Sequence, residues 1–208
     1  MAVPGRRNGM IDDDDNDVED GLFEEDGLNI DGHGEDDLLV HLHALESASK
    51  DGNLDSLRIA LDNLEDGYID EPLEDGDTAL HLASLYGHLA CVQLLLERGA
   101  SVEAKDEDGA IPLHDASAGG YTEIVELLIS RASDPECLRR LLETVDTEGD
   151  TPLHHAARGE HLDVIKLLLA HGASPTKKNI YDKVPAELAE PETEVRTFLE
   201  AAANATAS

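Results

Sequence analysis

A chain of 208 residues with 47 acidic and 15 basic side chains carries a formal net charge of −32. That balance excludes a face for nucleic-acid phosphates or for an anionic membrane, both of which need clustered positive charge, and favours a basic partner. Aromatics make up 3% with no Trp, so the expected core is a set of thin aliphatic layers, and the length suits one array or one compact domain plus a tail.

Residues 1–37 hold 14 acidic and 2 basic side chains, including Asp12-Asp13-Asp14-Asp15 and Glu24-Glu25-Asp26. They read as a disordered acidic tail. The run from Asp12 to Asp17 fails as a calcium loop, because its sixth position is Asp17 where the loop needs Gly and no helix precedes it. Leu22-Phe23 and Leu28-Asn29-Ile30 are apolar points within the tail, suited to docking on a partner or on basic patches of the chain itself. No apolar run follows Arg6-Arg7, so no secretory signal is expected, and the acidity argues against an organellar transit peptide. With no stretch near the roughly 20 apolar residues of a membrane span, the expected location is cytoplasmic, nuclear or both. The sequon Asn204-Ala205-Thr206 is then never glycosylated.

From Leu38 to Leu61 the apolar pattern Leu38-Leu39, Leu42, Leu45, Ala48, Leu54, Leu57 fits two helices joined at Gly52-Asn53. His41 and His43, two apart, point to different helix faces and make no metal pair.

A stretch then recurs three times: Asp77-Thr78-Ala79-Leu80-His81-Leu82-Ala83, Ala110-Ile111-Pro112-Leu113-His114-Asp115-Ala116 and Asp150-Thr151-Pro152-Leu153-His154-His155-Ala156. His81 and His114 are 33 residues apart, His114 and His154 are 40 apart, so the middle unit carries an insertion of 7. Thr78 and Thr151 are expected to cap a helix through a hydroxyl that accepts a backbone N–H, and Pro152 stands at the first helical position, where no N–H is needed. Ile111 lacks the hydroxyl, an expected loss of about 1 kcal/mol. A second, more apolar helix follows in each unit, over Leu89 to Glu97, Thr122 to Ser130 and Leu162 to Ala170, closed by Gly99 and Gly172 in the first and third.

The units run 75–107, 108–147 and 148–180, after a degenerate unit at 38–74 and before a C-terminal cap at 181–203 and a short tail at 204–208. In the insertion from Ser133 to Glu143, Asp134 then Pro135 signals a short extra helix with Leu138, Leu141 and Leu142 on one face. The cap keeps Pro185 and Ala189 but replaces Thr, Leu and His of the motif with Val184, Ala186 and Glu187; its helix, Glu192 to Ala201, is polar apart from Val195, Phe198 and Leu199.

The two cysteines, Cys91 and Cys137, make no disulfide framework; Cys91 is expected in the core and Cys137 to be more accessible. His88, His155, His161 and His171 add to the motif histidines, but His81, His114 and His154 come one per unit and lack the short spacing that converges on zinc. No local motif assembles a nucleophile, base and oxyanion donors, and Gly119-Gly120 lies outside any phosphate loop. No cofactor and no metal is expected.

A period of 33 carrying T-P-L-H-x-A resembles the ankyrin repeat, over 75–180 specifically and over 38–74 and 181–203 loosely. The resemblance implies an all-α solenoid of stacked helix-turn-helix units with β-hairpin connections, in which the motif histidine ties the helix start to neighbouring backbone. It also implies protein binding on a concave face of hairpin tips and first helices. Carried onto this chain, that face comprises Glu74, Asp75, Asp77, Leu85 and Tyr86, then Glu107, Asp108, Ala110, Ala118 and Gly119, then Thr147, Glu148, Asp150 and Arg158, then Ile180, Tyr181 and Lys183. The expected function is a monomeric, non-catalytic adaptor or regulatory subunit that takes a basic segment of a partner protein in the groove. A competing reading is an acidic, charge-shielding chaperone of basic proteins; a third, a metal-dependent enzyme, would require a stoichiometric bound metal.

Overall fold

The computed structural model describes residues 33–64, 67–73 and 76–206, the side chains of 33–36 excepted. The acidic runs and apolar points between residues 12 and 30 lie outside them, as do Glu74 and Asp75.

The described chain is helical. Helices α1 (His33–Asp51) and α2 (Leu54–Asp62) form the first pair, α3 (Ala79–Leu85) and α4 (Leu89–Glu97) the second, α5 (Pro112–Ala118) and α6 (Thr122–Ser130) the third. After α7 (Pro135–Glu143) come α8 (Pro152–Arg158) and α9 (Leu162–Ala170), a single 3-10 turn at Pro185–Glu187 and α10 (Glu194–Thr206). Helical backbone therefore begins at His33, inside the segment assigned to the tail, and α10 runs past Ala201 and into 204–208. The run Ala201-Ala202-Ala203 carries α10 beyond its last buried residue, Leu199.

Helices α1, α3, α5, α8 and the 3-10 turn stack as one layer, and α2, α4, α6 and α9 as another. Fully buried Leu45, Leu80, Leu113 and Leu153 lie in the first layer, Leu57, Leu95, Leu128 and Leu168 in the second. No unit holds its apolar face alone, so stability comes from neighbour-to-neighbour burial. Among the described residues the connections form no strand. Each is a tight hairpin-like turn whose ends are joined by a backbone N–H to C=O bond, Asp106 to Ala110 at 3.1 Å, Asp146 to Asp150 at 3.1 Å and Asn179 to Lys183 at 2.9 Å, too short for a ladder.

The insertion forms the expected helix. Asp134 Oδ1 accepts the backbone N–H groups of Glu136 at 2.9 Å and Cys137 at 2.8 Å, while Leu141 and Leu142 are buried. Cys137 is buried too, against expectation, because it lies on that same inward face. At the inner ends of α3 and α5, the hydroxyls of Ser84 and Ser117 are buried with no hydrogen-bond partner among the described residues. Ala157 fills the equivalent place in α8. Ser84→Ala and Ser117→Ala are each expected to leave stability unchanged or raise it by up to about 1 kcal/mol in urea denaturation, since a desolvated and unpaired hydroxyl is removed.

Candidate protein-binding surface

The surface is held in register by the motif histidines. The backbone N–H of Thr78, Ile111 and Thr151 donates to Nδ1 of His81, His114 and His154 at 3.1, 3.0 and 3.1 Å. An amide only donates, so Nδ1 carries the lone pair and the proton is on Nε2. That Nε2 then donates to a carbonyl of the next unit: His81 to Ala110 at 3.3 Å, His114 to Asp150 and His154 to Lys183, each at 3.2 Å. The threonine hydroxyls lie 2.9 and 2.8 Å from the same Nδ1 and so donate to it, and each threonine forms a capping box with its histidine. Ile111 keeps the main cap through His114 and is 1% exposed, so apolar burial offsets the missing hydroxyl. In the last unit Glu187 takes the histidine's place, its carboxylate accepting the Val184 N–H at 3.0 Å.

A second ladder escaped the sequence reading. His88 Nε2 donates to the Lys50 carbonyl at 2.9 Å and His161 Nε2 to the Ala118 carbonyl at 2.8 Å. Tyr121 fills the intervening position, its ring over Gly87 and Gly119 so closely that a Cβ on either would clash. The signal was present: His88, Tyr121 and His161 repeat at the spacing of the motif histidines.

The hairpin tips are built as Asx turns. Asp106 Oδ1 accepts the Ala110 N–H at 2.8 Å, Asp146 Oδ1 those of Glu148 and Asp150 at 2.9 Å, and Asn179 Oδ1 those of Tyr181 and Lys183 at 3.0 Å. Adjacent tips are joined by Thr147 N–H to Asp108 C=O at 2.7 Å and Ile180 N–H to Glu148 C=O at 3.0 Å. Local side-chain bonds thus fix the loops, and unit stacking fixes their spacing.

Glu107, Asp108, Thr147, Glu148, Ile180, Tyr181 and Lys183 are exposed along the tips, with Leu85, Tyr86, Ala118 and Arg158 exposed at the ends of the first helices. Asp77 and Gly119 are half-buried between them. Two expected contact residues are corrected. Ala110 is 7% exposed because its backbone serves His81 and Asp106, and Asp150 is 0% exposed because it is an internal hub. The Asp150 carboxylate accepts from Arg158 Nη2 and, at 2.7 Å, from Asn179 Nδ2.

Beside that hub, His155 Nε2 lies 2.8 Å from Asp146 Oδ2, and the His155 ring meets the edge of His114 at a centroid distance of 5.3 Å. Burial pushes Asp146 up, but the bond from His155 and the backbone donors outweigh it and hold the carboxyl below its usual range. Among the described residues Asp146, Asp150 and His155 present ligand atoms within 4.8 Å of one another. Those atoms already serve Arg158, Asn179 and each other, so the arrangement is an ion-pair network.

The unlike layer is the one before. Asp106 and Asp115 stand where Asp146 and His155 stand in the next unit, nine residues apart in both. Asp115 Oδ2 is buried with no hydrogen-bond partner among the described residues. Burial first, then the charges of Asp77 and Asp106, push the Asp115 carboxyl well above the ordinary carboxylate range.

Stacked helical pairs, a histidine ladder and Asx-turn tips define a repeat protein of the ankyrin class. Residues 45–136 match the family described as "Ankyrin repeats (3 copies)" and residues 148–180 match "Ankyrin repeat". The chain belongs to the ankyrin repeat family, whose repeats are typically protein–protein interaction modules. A stretch of 37 residues is 54% identical to a probable E3 ubiquitin-protein ligase, XBOS33, of Oryza sativa subsp. japonica. That match covers 18% of this chain and 7% of the rice protein's length. Among the described residues no helix is long and apolar enough to cross a membrane.

Proposed function

We propose that the chain is a non-catalytic, monomeric adaptor or regulatory subunit, cytoplasmic or nuclear, that takes a basic segment of a partner protein along the face of tips and first helices. The observation that carries this reading is the neighbourhood of Leu85 and Tyr86. These are 40% and 49% exposed, an apolar pair at the end of α3 in a strongly acidic chain. Among the described residues no cation lies within ion-pair distance of Glu107 or Asp108. Unsatisfied acids accelerate and orient the encounter with a basic chain, whereas buried area comes from the apolar pair; Tyr is a frequent anchor of such interfaces.

The test is affinity capture in moderate salt, comparing wild type with Leu85→Ala/Tyr86→Ala at matched helical circular dichroism. A basic partner retained by wild type and weakened at least tenfold by the double substitution is expected, the size of a hot-spot loss of about 1.4 kcal/mol or more. Equal retention of many basic proteins by both, vanishing at high salt, would instead make the chain a charge-shielding chaperone.

A further inference from the structure

Charge changes sign along the line of hairpin tips. Between Glu103 and Ala110 four acids accompany one lysine, and among the described residues no cation lies within ion-pair distance of Glu107 or Asp108. Between Asp146 and Asp150 three acids stand together, but a cation answers two of them: Arg158 Nη2 lies 3.6 Å from Glu148 Oε2 and also pairs with Asp150. From Lys177 to Lys183 three lysines accompany one acid, Asp182. The three tips touch, through Thr147 N–H to Asp108 C=O at 2.7 Å and Ile180 N–H to Glu148 C=O at 3.0 Å. The reversal of charge therefore runs along one continuous edge.

The basic end of that edge carries an apolar pair of its own. Ile180 and Tyr181 are 65% and 60% exposed, more than Leu85 and Tyr86. Their backbone is pinned from beneath. Asn179 is buried, donates to Asp150 Oδ1 at 2.7 Å, and accepts the N–H groups of Tyr181 and Lys183 at 3.0 Å. The Ile180 nitrogen and Cγ2 rest against Gly149 so closely that a Cβ there would crowd both. Large side chains on a fixed turn lose little freedom on binding, which is the setting of an interface anchor. On either side, Lys178 pairs with Asp182 at 2.8 Å and Lys183 with Glu187 at 3.8 Å, all four residues being exposed. Exposed pairs of this kind are weakly held and exchange for a carboxylate brought by a partner. A chain that is basic throughout would meet like charge at Lys178 and Lys183 just where the exposed apolar surface is greatest.

We propose that the edge of tips binds an extended segment of a partner protein whose charge is polarised. Its basic end lies on Glu107 and Asp108, an apolar residue near its other end lies on Ile180 and Tyr181, and acids beside that residue meet Lys178 and Lys183. The proposal rests on the groove reading above and adds the chemistry of the segment's far end, which that reading leaves basic.

The experiment uses the full 208-residue chain and, as probe, a phage-displayed library of random peptides about 16 residues long, with an extended reach of about 50 Å. It is panned in moderate salt against wild type, Lys178→Glu/Lys183→Glu, Ile180→Ser/Tyr181→Ser and Leu85→Ala/Tyr86→Ala at matched helical circular dichroism. Lys178 and Tyr181 are exposed, so Lys178→Glu and Tyr181→Ser alone serve where a double variant loses helicity. Peptides selected by wild type are expected to gather Arg and Lys at one end and an aromatic or aliphatic residue with Asp or Glu at the other. A synthetic peptide of that pattern should bind about fivefold tighter or more than one of the same composition with its charges interleaved, since diffuse attraction depends on net charge alone. Lys178→Glu/Lys183→Glu should weaken it by a similar factor and select peptides that are basic at both ends; Ile180→Ser/Tyr181→Ser should weaken it and abolish the apolar preference. Peptides basic along their whole length from wild type, or an interleaved peptide that binds equally well, overturn the proposal. If such peptides still depend on Leu85 and Tyr86, the groove reading stands without it. No enriched peptide, or binding that none of the substitutions changes, removes both.

Discussion

His114→Ala is expected to destabilise the protein by about 3–5 kcal/mol, the largest effect of any single motif substitution. The ring is 1% exposed, accepts the Ile111 N–H at 3.0 Å and donates to the Asp150 carbonyl at 3.2 Å. Its loss leaves two desolvated backbone groups unpaired, at about 1–3 kcal/mol each, and a cavity between units. For a domain of this size a melting point lower by roughly 10 °C follows. His171→Ala is the contrast: that ring is exposed and, among the described residues, bonds only to the Leu167 carbonyl of the preceding helix, and the change should stay within about 0.5 kcal/mol. Similar losses for both variants would refute the structural role given to the ladder.

The same bond gives His114 a pH dependence of definite sign. Burial first, then the charge of His155, push it down to about 4, and a protonated Nδ1 would have to release the Ile111 N–H. The unfolded chain takes up a proton near pH 6.5, which the folded chain refuses until about pH 4. The folded pKa is depressed, so the stabilisation is complete above about pH 6.5 and declines as pH falls toward 4, by about 2 kcal/mol at pH 5. His81 and His154 are lowered by burial as well and act in the same direction. Asp115 acts in the opposite direction, since its carboxyl is raised and its penalty fades on acidification. Urea midpoints of Asp115→Asn against pH separate the two. The variant should be more stable than wild type at pH 7.5, with a melting point raised by a few degrees, and the difference should shrink toward pH 4. A difference that grows on acidification would contradict the sign.

Gly149→Ala is the second large effect, at about 2–4 kcal/mol. Gly149 has φ +76°, and a Cβ there would lie 2.8 Å from the backbone nitrogen of Ile180. That nitrogen donates to the Glu148 carbonyl at 3.0 Å, so the third and fourth tips must separate and lose the bond. Gly109 has the same φ of +76°, but its Cβ would meet nothing nearer than 3.8 Å. Gly109→Ala therefore carries only the left-handed backbone penalty of about 1 kcal/mol. The difference between the two glycines, read from chemical denaturation, isolates tip-to-tip contact; equal losses would mean that the tips are independent. Because the tips carry Thr147, Glu148, Ile180 and Tyr181, Gly149→Ala should also disturb the proposed groove.

The helices were legible in the sequence because their ends are set by neighbours in the chain. Asp134 with Pro135 placed α7, the observed bounds of α4, α6 and α9 match the apolar runs, and the 33-residue period placed the stacking. Conformation at a cap or a glycine turn depends on two or three adjacent residues, so composition and spacing suffice. Exposure at the candidate surface was not legible in that way. Ala110 and Glu107 both belong to a tip, yet one is buried and the other exposed. Asp150 and Asp108 are both acidic, yet one is the centre of a network and the other faces water. What decides these cases is a partner 29 residues away in the chain that the fold brings alongside: Asn179 for Asp150, His81 for the Ala110 carbonyl. The sequence by itself determined the repeat, its helices and its acidity. Only the tertiary structure decided which carboxylates are answered, as Asp150 is by Arg158 and Asn179, and which oxygens, like Asp115 Oδ2, are buried without a donor among the described residues, because those donors meet the carboxylate only through the folded contacts of the array.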